Sequence, residues 1–203
     1  MRHAALWSLA LLSLTACGMA ERDDEDHKSY DYLRFTDEQF ERYCLEHFDT
    51  NGDNRLSRYE AESVRKIDCQ GLGIRSLDEI EAFTRLEELN CSQNEIAWLD
   101  LTENEELRTL SCHTNRLTHL ALGHLRGITE LDCHANLLTT LNLDYTASLT
   151  RLDCRDNRFT VLDLRACSTA LQADARLNPS LTTIYCRTGQ QVNYEAPAVV
   201  VGQ

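Results

Sequence analysis

The sequence has no stretch able to cross a bilayer as a helix. Its longest apolar run, Ala4 to Leu14, covers about eleven residues and is broken by Ser8 and Ser13, well short of the roughly 20 that a spanning helix needs. Lysine is nearly missing, with Lys28 and Lys66 the only two. No basic stripe is therefore present to displace the counterions of a phosphate backbone, which excludes nucleic acid as the expected partner. What the chain has in excess is acid. Its formal charge of −13 is unevenly spread: residues 21–60 hold thirteen acidic against six basic side chains, residues 61–110 twelve against five, and residues 111–203 eight of each. Recognition of anionic groups in the second half would rest on arginine alone.

The apolar run follows Arg2 and His3 and has the size of a signal-peptide core. It ends in Leu14-Thr15-Ala16-Cys17, which resembles the bacterial lipobox. That resemblance implies cleavage before Cys17, with residues 1–16 a lipoprotein signal peptide, and lipidation of the Cys17 sulfur. Acyl chains anchor firmly because each buried methylene contributes about 0.8 kcal/mol. Residues 17–35 are expected to be an acidic, solvated tether, since Glu21 to Lys28 is almost entirely charged. The stretch is similar to the acidic export signals of Bacteroidetes-type surface lipoproteins. This implies anchoring in the outer membrane, facing the cell surface, with a periplasmic face as the alternative.

Residues 36–66 predict a helix-loop-helix cap. Thr36 can N-cap a helix over 36–47 with Gln39 reciprocating, Asp37 and Glu38 in the first turn, and Phe40, Tyr43, Cys44 and Phe48 on one stripe. The following loop, Asp49 to Glu60, carries oxygen-bearing side chains at its positions one, three, five, nine and twelve, the spacing with which an EF-hand wraps a hard cation. Asp49, Asn51 and Asp53 would bind through side chains, Arg55 through its carbonyl, Ser57 directly or through water, and Glu60 bidentately; Leu56 would turn inward. Position six is Asn54 where the motif has glycine, and asparagine visits the left-handed region readily. No second loop follows, so Ca2+ is expected to be structural, holding the cap rigid, and not a sensor signal. A second helix should start near Arg58 and run to about Lys66.

Residues 67–192 return on themselves. Every 21 residues from Leu86 a unit repeats, with Leu86–Ile96, Leu107–Leu117, Ile128–Leu138 and Leu149–Phe159 in phase, each followed by a second hydrophobic pair. Asn94, Asn115, Asn136 and Asn157 share one phase, and Asn178 continues it. An irregular first unit carries Ile67, Cys69, Ile74, Leu77, Ile80 and Phe83, with Leu72 where asparagine is expected; one extra residue precedes Leu181, Ile184 and Cys186 in a closing unit. The pattern L-x-x-L-x-C-x-x-N-x-L resembles leucine-rich repeats of the internalin type. That implies an α/β solenoid, a right-handed curved coil with a parallel concave β-sheet, closed at its N-terminus by the cap. The alternation Leu89-Asn90-Cys91 puts two side chains inward and the middle one outward, and stacked coils supply the core that no single coil can. Cys69, Cys91, Cys112, Cys133 and Cys154 form one inward column, similar to the cysteine ladder of some internalin-type proteins. Their parallel vectors suit buried free thiols better than disulfides; Cys167 with Cys186 is the candidate bridge. Residues 193–203 form a tail, either a closing strand or a frayed end.

The outward strand positions are the expected binding surface: Glu88, Asn90 and Ser92; Thr109, Ser111 and His113; Glu130, Asp132 and His134; Arg151, Asp153 and Arg155; Asp174 and Arg176. No Trp, Tyr or Phe stands among them, so affinity would lean on Arg151, Arg155 and Arg176 meeting acidic groups. Trp98 and Tyr145 fall in the intervening turns. The resemblance implies recognition of a protein or glycan by a monomer tied to the membrane by lipid. A scaffold within an envelope complex is the competing class. His113 and His134 with Asp132 between them make a conceivable transition-metal site. Hydrolysis is the weakest reading, because an open sheet neither excludes water nor supplies an oxyanion pocket.

Overall fold

The computed structural model describes residues 31–202. The signal peptide, Cys17 and most of the tether lie outside the described residues. The end of the expected tether is built into the cap: Leu33 N donates to Leu56 O at 2.9 Å, Arg58 N donates to Asp31 O at 2.8 Å, and Tyr32 bridges Ser57 in antiparallel fashion. The backbone edge at the back of the loop is thus covered by the chain's own preceding segment.

Helix α1 spans Glu38–Phe48 and α2 spans Arg58–Ser63. The N-cap of α1 is Asp37, not Thr36; its carboxylate accepts from Gln39 N and Phe40 N at 2.9 and 3.0 Å. A carboxylate one residue on outcompetes the hydroxyl for the orphan N–H groups. Thr36 instead donates its N–H to Glu79 at 2.7 Å. α2 ends at Ser63, short of the expected Lys66, because Lys66 is already in the first strand.

Twelve strands follow: β1 Lys66–Asp68, β2 Glu88–Asn90, β3 Trp98–Asp100, β4 Thr109–Ser111, β5 His119–Ala121, β6 Glu130–Asp132, β7 Arg151–Asp153, β8 Val161–Asp163, β9 Gln172–Asp174, β10 Thr183–Cys186, β11 Gln191–Asn193 and β12 Val199–Gly202. A single 3-10 helix, Asp78–Ala82, crosses the first coil. The main sheet runs β1-β2-β4-β6-β7-β9-β11, all parallel, and is the curved sheet expected of the repeat. Leu89, Leu110, Leu131, Leu152 and Ala173 stand opposite one another at the 21-residue period. Two smaller parallel sheets, β3-β5 and β12-β10-β8, line the opposite side of the coils. The extra residue before Leu181 is taken up there, where Leu162 pairs with Ile184. The tail closes the solenoid: Val199–Gly202 pairs along β10, and Asn193 already belongs to β11.

The core is one continuous column of leucines, isoleucines and cysteines from Phe40 to Ala198. Cys69, Cys91, Cys112, Cys133 and Cys154 are buried and free, as are Cys44, Cys167 and Cys186, so the Cys167–Cys186 bridge is absent among the described residues. Burial pushes the Cys69 thiol up to about 12 and raises the other ladder thiols further, which leaves them with almost no thiolate at neutral pH.

The asparagine column closes the bends. Asn136 donates through Nδ2 to Cys112 O and Cys133 O, both at 3.1 Å, and accepts from Leu117 N at 3.0 Å. Asn94, Asn115, Asn157 and Asn178 repeat this on their own neighbours. The residue before each asparagine lies in the left-handed region: Gln93, Thr114, Ala135, Asp156 and Leu177 have φ between 53 and 59°. In the first coil, where Leu72 replaces asparagine, Gly71 and Gly73 take φ of 70 and 74° and Asn94 of the next coil supplies the hydrogen bonds.

Candidate functional site

The outward side chains of β4, β6, β7, β9 and β11 line a groove of about 470 Å³ on the main sheet. Its walls are Thr109, Ser111, Glu130, Asp132, Arg151, Asp153, Gln172, Asp174 and Asn193, with Leu110, Leu131, Leu152 and Ala173 between them. The groove gathers seven of the expected binding residues, Thr109, Ser111, Glu130, Asp132, Arg151, Asp153 and Asp174. Glu88 and Asn90 sit toward the cap, where Glu88 holds Lys66 at 2.8 Å and Asn90 donates to Asp68 at 2.9 Å. Ser92 is not on the surface: it is 1 % exposed and donates to Asn90 Oδ1 at 2.6 Å. Gln172, outward at the same repeat phase as Thr109, Glu130 and Arg151, also lines the groove, as does Asn193; the shortened step into β11 hides Asn193 from a strict 21-residue count.

The arginines are not free to lead. Arg155 grips Asp153 through Nε and its terminal nitrogen, the latter at 2.6 Å, and stands 3.8 Å from Asp174. Arg176 holds Asp174 in the same fork, again 2.6 Å at the terminal nitrogen. Arg151 is paired with Glu130 of the neighbouring coil. The three arginines on which affinity was expected to lean are instead held in internal pairs; for Arg155 and Arg176, the aspartate two residues before on one strand face is within reach of the planar fork. Of the four carboxylates that line the groove, Glu130, Asp153 and Asp174 are each held by an arginine and Asp132 is not, which leaves the floor an excess of acid by one group. Burial works to raise the Asp174 carboxyl, but hydrogen bonds from Arg176 outweigh it and hold the group below its ordinary value.

The two histidines stack. His113 and His134 lie 4.4 Å apart at ring centres with planes 12° apart. Burial, reinforced by the neighbouring His134, lowers the His113 pKa against the opposing pull of Asp132 and Asp153, so it is neutral at pH 7. The grouping expected from sequence is rearranged. His113 Nδ1 turns to Thr114 Oγ1 at 3.0 Å, while His134 Nδ1 sits 2.6 Å from Asp132 and 3.9 Å from Asp153. Asp132, His134 and Asp153 each offer a ligand atom within 4.8 Å of the others. On the opposite side, Trp98 stacks on His119 at 3.8 Å and Tyr145 meets His124 edge-on at 4.2 Å.

Loop 49–60 passes twice through the left-handed region. Gly52 and Asn54 take φ of 73 and 60°, and Leu56 is 1 % exposed in the core. Its oxygens are engaged locally. Asp49 accepts from Gly52 N and Asn54 N, Asn51 from Asp53 N, and Asp53 from Arg55 N and the Tyr32 hydroxyl. Glu60 accepts from the N–H and hydroxyl of both Thr50 and Ser57 at 2.7–2.9 Å. Burial raises the Glu60 carboxyl, yet those hydrogen bonds prevail and its pKa is lowered. The side-chain oxygens of Asp49, Asn51 and Asp53 fit a hard cation; Glu60 fits only after it exchanges the donors it now holds.

The solved structures similar to the chain include three from Listeria monocytogenes. They are the functional domain of InlJ, which includes a cysteine ladder, at 22 % identity and a TM-score of 0.40 over 79 % of this chain; the internalin inlF at 18 % and 0.46 over 79 %; and the internalin C2 at 15 % and 0.43 over 83 %. This chain matches 60 %, 64 % and 94 % of their respective lengths. No family model and no curated protein matches it. Among the described residues, no helix is long and apolar enough to cross a membrane.

Proposed function

We propose that the protein is a lipid-anchored recognition module of the bacterial envelope that binds a protein through the groove of its main sheet, without catalysis. The observation that carries this reading is the groove itself: polar side chains held in register by five parallel strands, so that little conformational entropy is lost on association. Its acidic floor favours a ligand that presents lysine or arginine from an extended segment; a glycan, which would lack that charge, is the other class the surface could meet. Cys17 carries the anchor in this reading, and loss of lipid incorporation in Cys17→Ser tests it. Ca2+ in loop 49–60 serves the cap, consistent with the left-handed Gly52 and Asn54 and the buried Leu56.

The experiment is a titration of the chain with extended peptides graded in charge, beside a glycan array. Saturable binding of basic peptides, weakened by salt and by Glu130→Gln with Asp174→Asn, is the expected result. Equal binding of neutral and acidic peptides, preference for glycans, or indifference to the double substitution would overturn it.

A further inference from the structure

Along the main sheet, an aspartate and the residue two places on form a pair in three successive coils. Asp153 pairs with Arg155 and Asp174 with Arg176, each 2.6 Å at the closest approach, but Asp132 pairs with His134. The same aspartate–arginine pairing recurs on the opposite side in Asp163 and Arg165 at 2.6 Å. Among these three aspartate pairs, His134 is therefore the one where an imidazole stands in place of a guanidinium. An imidazole carries no permanent charge, so Asp132, beside Asp153 in the strand register, has no guanidinium of its own to hold it. An uncompensated carboxylate, a second carboxylate and a nitrogen donor are the ingredients of a site for a borderline divalent cation.

We propose that Asp132, His134 and Asp153 bind a divalent transition cation of the zinc type on the floor of the groove. Their ligand atoms lie within 4.8 Å of one another and all three side chains are half-buried. A cation about 2.0–2.2 Å from each atom requires His134 Nδ1 and Asp132 Oδ1 to part slightly from 2.6 Å, and Asp153 Oδ2 to close from its 3.9 Å. Bridging the two coils, the ion replaces the proton shared by His134 and Asp132. Arg155 does not block this, since it stands 3.8 Å from Asp174 and has a second carboxylate to lean on when Asp153 turns. His113 is no ligand: its ring lies parallel to that of His134, so no point lies in both ring planes near both. The buried, free thiols of the cysteine column stand apart from the cluster and are protonated.

The test is zinc binding to the intact chain in excess calcium, followed by calorimetry, with copper as a paramagnetic probe of nitrogen ligation. His134→Arg rebuilds the pairing of the next two coils and should leave the fold and melting temperature intact. It should weaken zinc by about tenfold or more and remove the nitrogen signal, as should Asp132→Asn. His113→Ala should retain both. The proposal is overturned if native protein takes up no zinc saturably, if His134→Arg binds as well as native, or if His113→Ala loses as much as His134→Arg. Because Glu130 and Asp174 are not ligands, failure of peptide recognition in their variants leaves this result independent.

Discussion

In the cap, a loop oxygen finds its donor close by in the chain: Asp49 holds Gly52 and Asn54, and Glu60 holds Ser57 and Thr50. In the repeats, Asn136 reaches back to Cys112 and Leu117 in the preceding coil, and every other asparagine of the column does the same to its own predecessor. One region is a local structure held shut by its own turn chemistry, the other a stack in which each coil finishes the one before it. The two meet through a shared core and side-chain bonds from Thr36, Asp37 and Tyr43. Phe40 and Phe48 lie against Phe83 at 6.1 and 6.0 Å, and Tyr43 accepts from Asp68 N. Asp37 holds Arg75 N at 2.8 Å while capping α1.

That contrast can be broken hardest in the stack. Asn136→Ala leaves the buried Leu117 N–H without a partner and takes one of two amide donors from Cys112 O and Cys133 O, which keep Asn115 and Asn157; it should destabilise by about 1–3 kcal/mol, seen in urea unfolding, with amide exchange quickening on both flanking coils. An effect confined to its own coil would refute the inter-coil account. Next comes the junction. Asp37→Ala should cost about 1–2 kcal/mol and loosen the cap before the coils. Burial tends to raise the Asp37 carboxyl, but the N–H groups of Arg75, Phe40, Gln39 and Ser76 outweigh it and its pKa is lowered. Its stabilisation is therefore full above the unfolded carboxyl value of about 3.9 and is lost as pH falls through the lower folded value. The variant should show a flatter acid limb in melting temperature against pH. Smallest is the loop. Calcium at about ten times its dissociation constant should add about 1.4 kcal/mol, read as a melting shift that Asp49→Ala or Glu60→Gln abolishes. A shift that survives both substitutions would place the ion elsewhere.

The repeats were legible because period carries their information: Leu89, Cys91 and Asn94 each recur with one environment, so phase alone gives strand, core and bend. The loop was legible for a different reason, since Gly52, Asn54 and Leu56 have roles set by spacing within a dozen residues. What phase could not show was pairing within a face. Arg155 and Arg176 looked available when counted by column, but side chains two apart on a strand share a face, and the preceding aspartates claim them. Ser92 misled in the same way, because its column is outward in later coils while Asn90 draws it under in the second. Nor could phase reveal the left-handed residues before each asparagine. Gln, Thr, Ala, Asp and Leu share no chemistry, and the conformation is imposed by the coil that follows.

The asparagine bonds that cross between coils all run one way. Each coil's bend is closed by a side chain from its successor, while the last coil has only Gln190, which donates to Leu164 O and Ser168 O at 2.8 and 3.1 Å on the far side. The molecule is thus a zipper with a direction: opening starts where no successor exists, and each coil lost from that end takes with it the side chain that closed the bend of the coil before it.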